Sequence, residues 1–280
     1  MRIGINPLSK SYIQPPSEKI AAVIVHLPNR AGYHEHRFDV IKLCLTSMRE
    51  HTGTDCQIYV WDNGSCNQFR NWLVNCYKPD FLTLSGNVGK STARKAIFSS
   101  FPGSTIIGIS DDDVFFYPDW FAKQIVIINH FQAVQVSGYP CRTSFRWGCE
   151  NTKKIAGEMG KLTRGRFLPE GWEHDFAVSI GRDPEYHKQY SAGDFDYRVS
   201  YNGVQAYCTS HHMQFIARAG RILPALAWSD EAMADEKPFD EAVDRLGLRL
   251  STTERLSRHI GNVIDESILS ESKKYRLQVG

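Results

Sequence analysis

The sequence predicts an α/β fold: a mixed, mostly parallel sheet flanked by helices, with a C-terminal helical extension. Three observations predict it. Apolar runs of strand length alternate with segments whose apolar residues recur at helical spacing, at intervals of about 25–35 residues, the rhythm of right-handed crossovers. Polar, turn-forming groups follow each apolar run. The 280 residues suffice for one substantial core, and no run approaches the about 20 apolar residues of a membrane span.

The elements follow in order. Residues 1–19 are polar, carry Pro7, Pro15 and Pro16, and read as an irregular lead-in. Ala21 to Leu27 is a buried-strand run, and Phe38, Ile41, Leu45 and Met48 then recur at helical spacing. Gln57–Trp61 is a second strand, ended by the turn Asp62-Asn63-Gly64-Ser65. Phe69, Trp72 and Leu73 fit a short helix, Phe81–Leu84 a third strand, and Lys90–Ser100 a helix. Thr105–Ile109 is a fourth strand, Trp120–Phe131 a helix, and Val134–Val136 a fifth strand. After Pro140 the rhythm is irregular. From Asp230 the pattern is helical again, with Ser251-Thr252-Thr253-Glu254 as a capping box for a helix carrying Leu256, Ile260 and Ile264. The expected division is a catalytic domain over 20–227, made of halves 20–125 and 126–227, and a helical extension over 228–280.

Composition narrows the function classes. The balance of 33 basic against 31 acidic residues, a net charge of +2, excludes a histone-like or strongly acidic chain. Seven cysteines without a CxxC pair fit neither a zinc site nor a disulfide framework, and read as reduced, mostly buried thiols. Met1–Lys10 has no apolar core or cleavage site of a signal peptide. These features predict a soluble, cytoplasmic protein with no stable membrane insertion.

In parallel sheets ligands bind beyond the carboxyl ends of the strands. Those ends carry Pro28, Asn29 and Arg30; Asp62 and Asn63; Gly86 to Ser91; and Asp111, Asp112 and Asp113. Three adjacent carboxylates repel one another unless a cation intervenes. A hard ion such as Mg²⁺ or Mn²⁺ takes few protein oxygens and completes its shell with phosphate. The aspartates therefore suggest a nucleoside diphosphate bound through a metal. The loop Gly86–Ser91 is not a P-loop, because that pattern needs glycine where Leu84 stands. It still opens a helix bearing Lys90 and Arg94 beside a ligand.

The ordered set Trp61-Asp62-Asn63-Gly64-Ser65, Asn87-x-Gly89 with Ala93-Arg94, and the strand ending in Asp111-Asp112-Asp113 with Pro118 resembles the nucleotide-sugar half of GT-A-fold glycosyltransferases of the family-2-like group, over residues 20–125. The resemblance implies a Rossmann-like GT-A domain and a metal-dependent transferase of the hexosyltransferase type, using a nucleoside diphosphate sugar such as a UDP-sugar. By it, Asp62 reads the base, Asn87, Gly89 and Arg94 flank the donor, and Asp111–Asp113 are the DxD motif. Asp113 holds the metal, with Asp111 or Asp112 on the ribose or the metal shell. It also implies an acidic pair at the start of a helix, whose aspartate is the general base of an inverting reaction. Asp175 with Glu173 is preferred, and Asp194 competes. A later histidine completes the metal shell, either of the doublet His211 and His212 or, as competitor, His259.

The acceptor is expected in the segment between the aspartates and the base. Over 142–166 seven lysines and arginines stand against two glutamates. Arg142, Arg146, Trp147 and Trp172 are its candidate acceptor-binding residues. Cations among aromatics suit a nucleic-acid base, and a glycan or protein acceptor is also compatible. Two other classes stay open: a sugar nucleotidyltransferase, which lacks here its glycine-rich first turn, and a non-catalytic nucleotide- or glycan-binding module.

Overall fold

A computed structural model describes residues 18–226 and 236–277. The expected lead-in up to residue 17, and the expected boundary between 227 and 228, lie outside the described residues.

The first half follows the expected order: β1 (Lys19–Val25), α1 (Arg37–His51), β2 (Gln57–Asn63), α2 (Asn67–Trp72), β3 (Phe81–Ser85), α3 (Lys90–Ser99), β4 (Ile106–Ser110), β5 (Val114–Phe116), α4 (Trp120–Phe131) and β6 (Gln135–Ser137). The stretch expected to be irregular is regular. It holds α5 (Glu150–Met159), β7 (Lys161–Gly165), α6 (Glu170–Ser179), α7 (Pro184–Tyr190), β8 (Asp196–Tyr201), β9 (Val204–Tyr207), β10 (Gln214–Arg218) and α8 (Ala219–Ile222). Then come α9 (Glu236–Leu246), β11 (Arg249–Ser251), β12 (Ser257–His259) and α10 (Glu266–Lys274).

The mixed sheet runs β3-β2-β1-β4-β10-β6-β11-β9-β8-β7. Strands β3, β2, β1 and β4 are parallel. Strand β10 is antiparallel to both β4 and β6, and β6 with β11 is parallel again. The far edge, β9, β8 and β7, is antiparallel.

Strand β1 is apolar from Ile20 to Val25 because both its faces are covered there. Ala21, Val23 and Val25 pack in one core with Ile41, Cys44, Leu45 and Met48 of α1. Ile20, Ala22 and Ile24 pack in another with Ala93, Ile97 and Phe98 of α3. Gly108 in β4 lets α4 approach: a Cβ there would sit 2.7 Å from the Phe121 ring and 2.8 Å from that of Trp120.

The expected capping box is not one. Ser251 is buried in β11, and its hydroxyl donates to the Thr209 carbonyl at 2.6 Å. The chain beyond spends its backbone groups on distant partners. Leu256 N donates to Gly138 O (2.8 Å), and β12 pairs antiparallel with β5, His259 opposite Val114. The four-residue spacing of Leu256 and Ile260 therefore serves two separate cores. A helix starts only at α10, where the Asp265 side chain caps Ile268 N at 2.7 Å.

All seven cysteines are free thiols, and Cys44, Cys141, Cys149 and Cys208 are buried. Among the described residues no helix is long and apolar enough to cross a membrane.

Candidate active site

The carboxyl ends of the parallel strands open into a cavity of about 520 Å³, lined by His26 after β1, Asn63 at the end of β2, and Asp111, Asp112 and Asp113 after β4. Asn87 and Lys90 close one side, and Tyr33, His34 and Arg37 the other. The rim is tied by hydrogen bonds. Asn63 Nδ2 donates to Asn87 Oδ1 (3.1 Å), Asn63 Oδ1 accepts from Val88 N (2.9 Å), and His26 N donates to Asp112 (3.0 Å).

The three aspartates meet different partners. Lys90 Nζ lies 2.7 Å from Asp111 and 2.7 Å from Glu236. Arg37 bridges Asp112 and Asp113, at 2.9 Å from the latter. His259 Nε2 stands 3.4 Å from Asp113, and its Nδ1 is 2.8 Å from Ser179 Oγ, which fixes the ring. Burial pushes Asp112 up, and Arg37 beside it does not cancel the effect. Burial acts on Asp113 in the same direction, but His259 and Arg37 outweigh it and hold that carboxyl well below the usual range. Burial disfavours the His259 cation, yet Asp113 raises its pKa above the ordinary value.

Asp113 Oδ1 is buried and has no hydrogen-bond partner. A carboxylate oxygen without a partner, next to an imidazole oriented through its other nitrogen, is the arrangement metal ligands need. Among the described residues no three His, Cys, Asp or Glu side chains converge as a metal-binding group. Two protein ligands fit a hard cation that takes its remaining oxygens from a diphosphate.

The histidine beside the aspartates is thus His259, not the doublet. His212 Nδ1 lies 3.1 Å from Asp240, and His211 Nδ1 accepts from Met213 N at 3.2 Å. Burial, then the charges of His212, His259 and Lys90, push His211 well below its ordinary value.

Other expected residues sit elsewhere. Asp62 is fully buried and accepts from Arg70 Nε (2.7 Å) and Ser65 N (3.1 Å), so its neighbour Asn63 faces the cavity instead. Pro28, Asn29 and Arg30 are exposed and do not line the cavity. Gly89 caps α3 with φ +78°, and its N–H donates to Asn87 Oδ1 at 3.0 Å. Arg94 is buried and forks Glu236 at 3.0 and 3.1 Å.

The acidic residues expected as base candidates are engaged with other partners and do not line the cavity at the aspartates. Asp175 is the sixth residue of α6 rather than its entry, and binds Arg255 (2.6 Å) and Arg258 (3.4 Å). Glu173 is buried, accepts from Arg142 N (2.8 Å), and faces His187 Nε2 at 3.2 Å. Asp194 pairs with Arg146 at 2.8 Å. The acid at a helix entry that is joined to the aspartates, through Lys90, is Glu236, first residue of α9, which sequence reasoning missed. Burial would raise its pKa, but Arg94 and Lys90 outweigh it and hold the carboxyl well below the usual range. The signal was present as the pair Asp235-Glu236 before Phe239, Val243 and Leu246.

The basic stretch is compensated in part, and Lys154, Lys161, Arg164 and Arg166 stay exposed. Arg142 pairs with Asp196 (3.1 Å), Arg146 with Asp194, and Lys153 with Glu150 (2.5 Å). Arg142 lines a separate cavity of about 310 Å³ with Glu173 and His187. Trp172 packs against Tyr139, whose hydroxyl donates to the Trp172 carbonyl at 2.7 Å, and Trp147 is half-buried. None of Arg142, Arg146, Trp147 and Trp172 lines the cavity at the aspartates. A second cavity of about 570 Å³ adjoins it, sharing Tyr33 and Asp113 and reaching Ser179 and Gly261. Gly261 has φ +80°, and a Cβ there would sit 2.1 Å from the Ser179 carbonyl oxygen.

A family model described as glycosyl transferase family 2 matches residues 32–177. Among solved structures, S. aureus TarS 1-349 in complex with UDP-GlcNAc aligns at 12% identity and TM-score 0.48, over 85% of this chain and 57% of that one. UDP-glucose pyrophosphorylase complexed with UDP-glucose aligns at 9% and 0.43, over 92% and 98%. Mannosyltransferase PcManGT from Pyrobaculum calidifontis, in complex with GDP-Man and Mn²⁺, aligns at 15% and 0.33, over 85% and 74%. The chain spans little more than half the length of TarS 1-349. No curated protein matches it. Likenesses this distant leave the chemistry to the residues.

Proposed function

We propose, from the premise that the chain belongs to glycosyl transferase family 2, that it moves a sugar from a nucleoside diphosphate sugar to an acceptor hydroxyl. The observation that carries the reading is the buried, unpartnered oxygen of Asp113 beside His259, at the carboxyl ends of parallel strands. Asp113 and His259 would hold Mn²⁺ or Mg²⁺, and Asp111 would stand beside it. Bound there, such a cation neutralises the charge of a leaving diphosphate. Lys90 and Arg37 add their own charge to the same oxygens. Asn63 and Asn87 offer amide groups to the nucleoside.

Inversion requires a base facing the acceptor. We assign that role to Glu236. Its ionised state is secured by Lys90 and Arg94, and a diphosphate that draws Lys90 away leaves the carboxylate more basic. The acceptor is a hydroxyl compound. Arg142 and Arg146 are taken up by Asp196 and Asp194, while Lys154, Lys161, Arg164 and Arg166 stay exposed, so a polyanionic acceptor is compatible with the stretch. A UDP-sugar is the first donor to test, and a cytoplasmic setting belongs to the same reading.

A thermal-shift screen of UDP-, GDP- and dTDP-sugars with Mn²⁺ tests it. A donor at 100 times its Kd stabilises by about 2.7 kcal/mol. The expected shift requires donor and cation together and disappears in Asp113→Asn. If no donor shifts the melting temperature, the reading fails.

A further inference from the structure

The turn after β4 carries three negative charges, and the chain answers them with its own cations. Lys90 from α3 holds Asp111 at 2.7 Å. Arg37 from α1 bridges Asp112 and Asp113. Arg37 is 7% exposed, and its guanidinium also donates to Asn262 Oδ1 at 3.3 Å, so the turn after β4 and the segment after β12 both hold it. Glu236 holds Lys90 from the opposite side at 2.7 Å. Of the three carboxylates, the oxygen that has no partner among the described residues is Asp113 Oδ1, with His259 beside it.

A divalent cation arriving alone therefore meets a turn whose charge is largely cancelled. It also meets the repulsion of a guanidinium bound to the same carboxylate. A diphosphate reverses both conditions. It restores negative charge, and it offers Arg37 and Lys90 charge-assisted acceptors that match a guanidinium fork and an ammonium. We propose that Arg37 and Lys90 gate the cation site, so that the divalent ion enters with the nucleoside diphosphate and not before it. The proposal rests on the donor-site reading above. Arg37 is a positioning residue here, acting through Asp113.

Equilibrium dialysis of Mn²⁺ against the full chain, with and without UDP on both sides of the membrane, tests the gate. UDP is expected to tighten Mn²⁺ binding to the wild type by about tenfold or more. Arg37→Met is expected to bind Mn²⁺ alone about tenfold more tightly than the wild type, and to gain less from UDP. Lys90→Met, at the cavity edge, should move both quantities the same way, and serves if Arg37→Met does not fold. Wild-type Mn²⁺ affinity indifferent to UDP, or variants that bind Mn²⁺ no better than the wild type, overturns the gate. Calorimetry of UDP with Mg²⁺ separates the two readings. UDP that binds while the gate fails leaves the donor site standing, and UDP that binds under neither condition overturns both.

Discussion

Glu236→Gln removes one charge from between two cations and leaves the side-chain shape. The two cations do not suffer equally. Lys90 keeps Asp111 at 2.7 Å. Arg94, 2% exposed, loses the carboxylate that accepts both of its hydrogen bonds. Breaking one side of a buried pair costs about 3–5 kcal/mol, and the retained amide oxygen puts this case near about 3. For a chain of this size that lowers the melting temperature by about 6 °C. Transfer should fall more than stability, because loss of a general base costs about 10²–10⁴-fold, or about 2.7–5.4 kcal/mol of barrier. The assay is the initial rate of sugar transfer below the melting transition, beside donor affinity by calorimetry. Rate should collapse while donor affinity changes little. Asp175→Asn is the comparison: it takes the carboxylate from Arg255, while Arg258 keeps Asp265 and Glu271, and it destabilises but leaves the rate within about tenfold. A folded Glu236→Gln protein that transfers at the wild-type rate would refute the assignment of the base.

Other consequences are open to direct measurement. The Glu236 carboxyl is held below its unfolded value, so its stabilisation is fully present above about pH 4.3 and fades as pH falls toward the folded value. Acid unfolding followed by circular dichroism should therefore show the gap between wild type and Glu236→Gln closing below that pH; a gap that widens would contradict the sign. Asp196 is fully buried and accepts from Arg142 Nε (3.1 Å), Phe167 N (2.6 Å) and Leu168 N (2.8 Å). Urea denaturation of Asp196→Ala should show a loss of about 3–5 kcal/mol. Gly108→Ala forces a methyl against Phe121 and Trp120, and should cost about 1–3 kcal/mol by the same method. Removal of divalent ions with EDTA should abolish transfer and leave melting of the donor-free protein unchanged; full-rate transfer after EDTA would remove the cation from the mechanism.

Much of the donor half was legible because its signals are local. The run from Ile20 to Val25 is apolar on both faces, which only a covered parallel strand requires. The order of strand, turn and helix alone places Asn63, Asn87, Lys90 and Asp111–Asp113 at one sheet edge, where they line one cavity. The second half was less legible. Strands β11 and β12 are three residues each, too short for any period to show. Segment 251–264 has helical spacing, yet its backbone groups bond to residues far away in sequence.

The sequence by itself determined the α/β alternation, the family resemblance, and the three carboxylates at the end of β4, since each is written in adjacent residues. Only the tertiary structure decided what answers those carboxylates. Arg37 reaches Asp113 across 76 positions, Lys90 meets Glu236 across 146, and His259 reaches Asp113 because β12 pairs with β5. Two cations of the basic stretch over 142–166, Arg142 and Arg146, gained partners once Asp196 and Asp194 folded against them. The physical reason is the same in each case. A charge selects its partner by distance in space, and chain order carries no record of that distance until the sheet has closed.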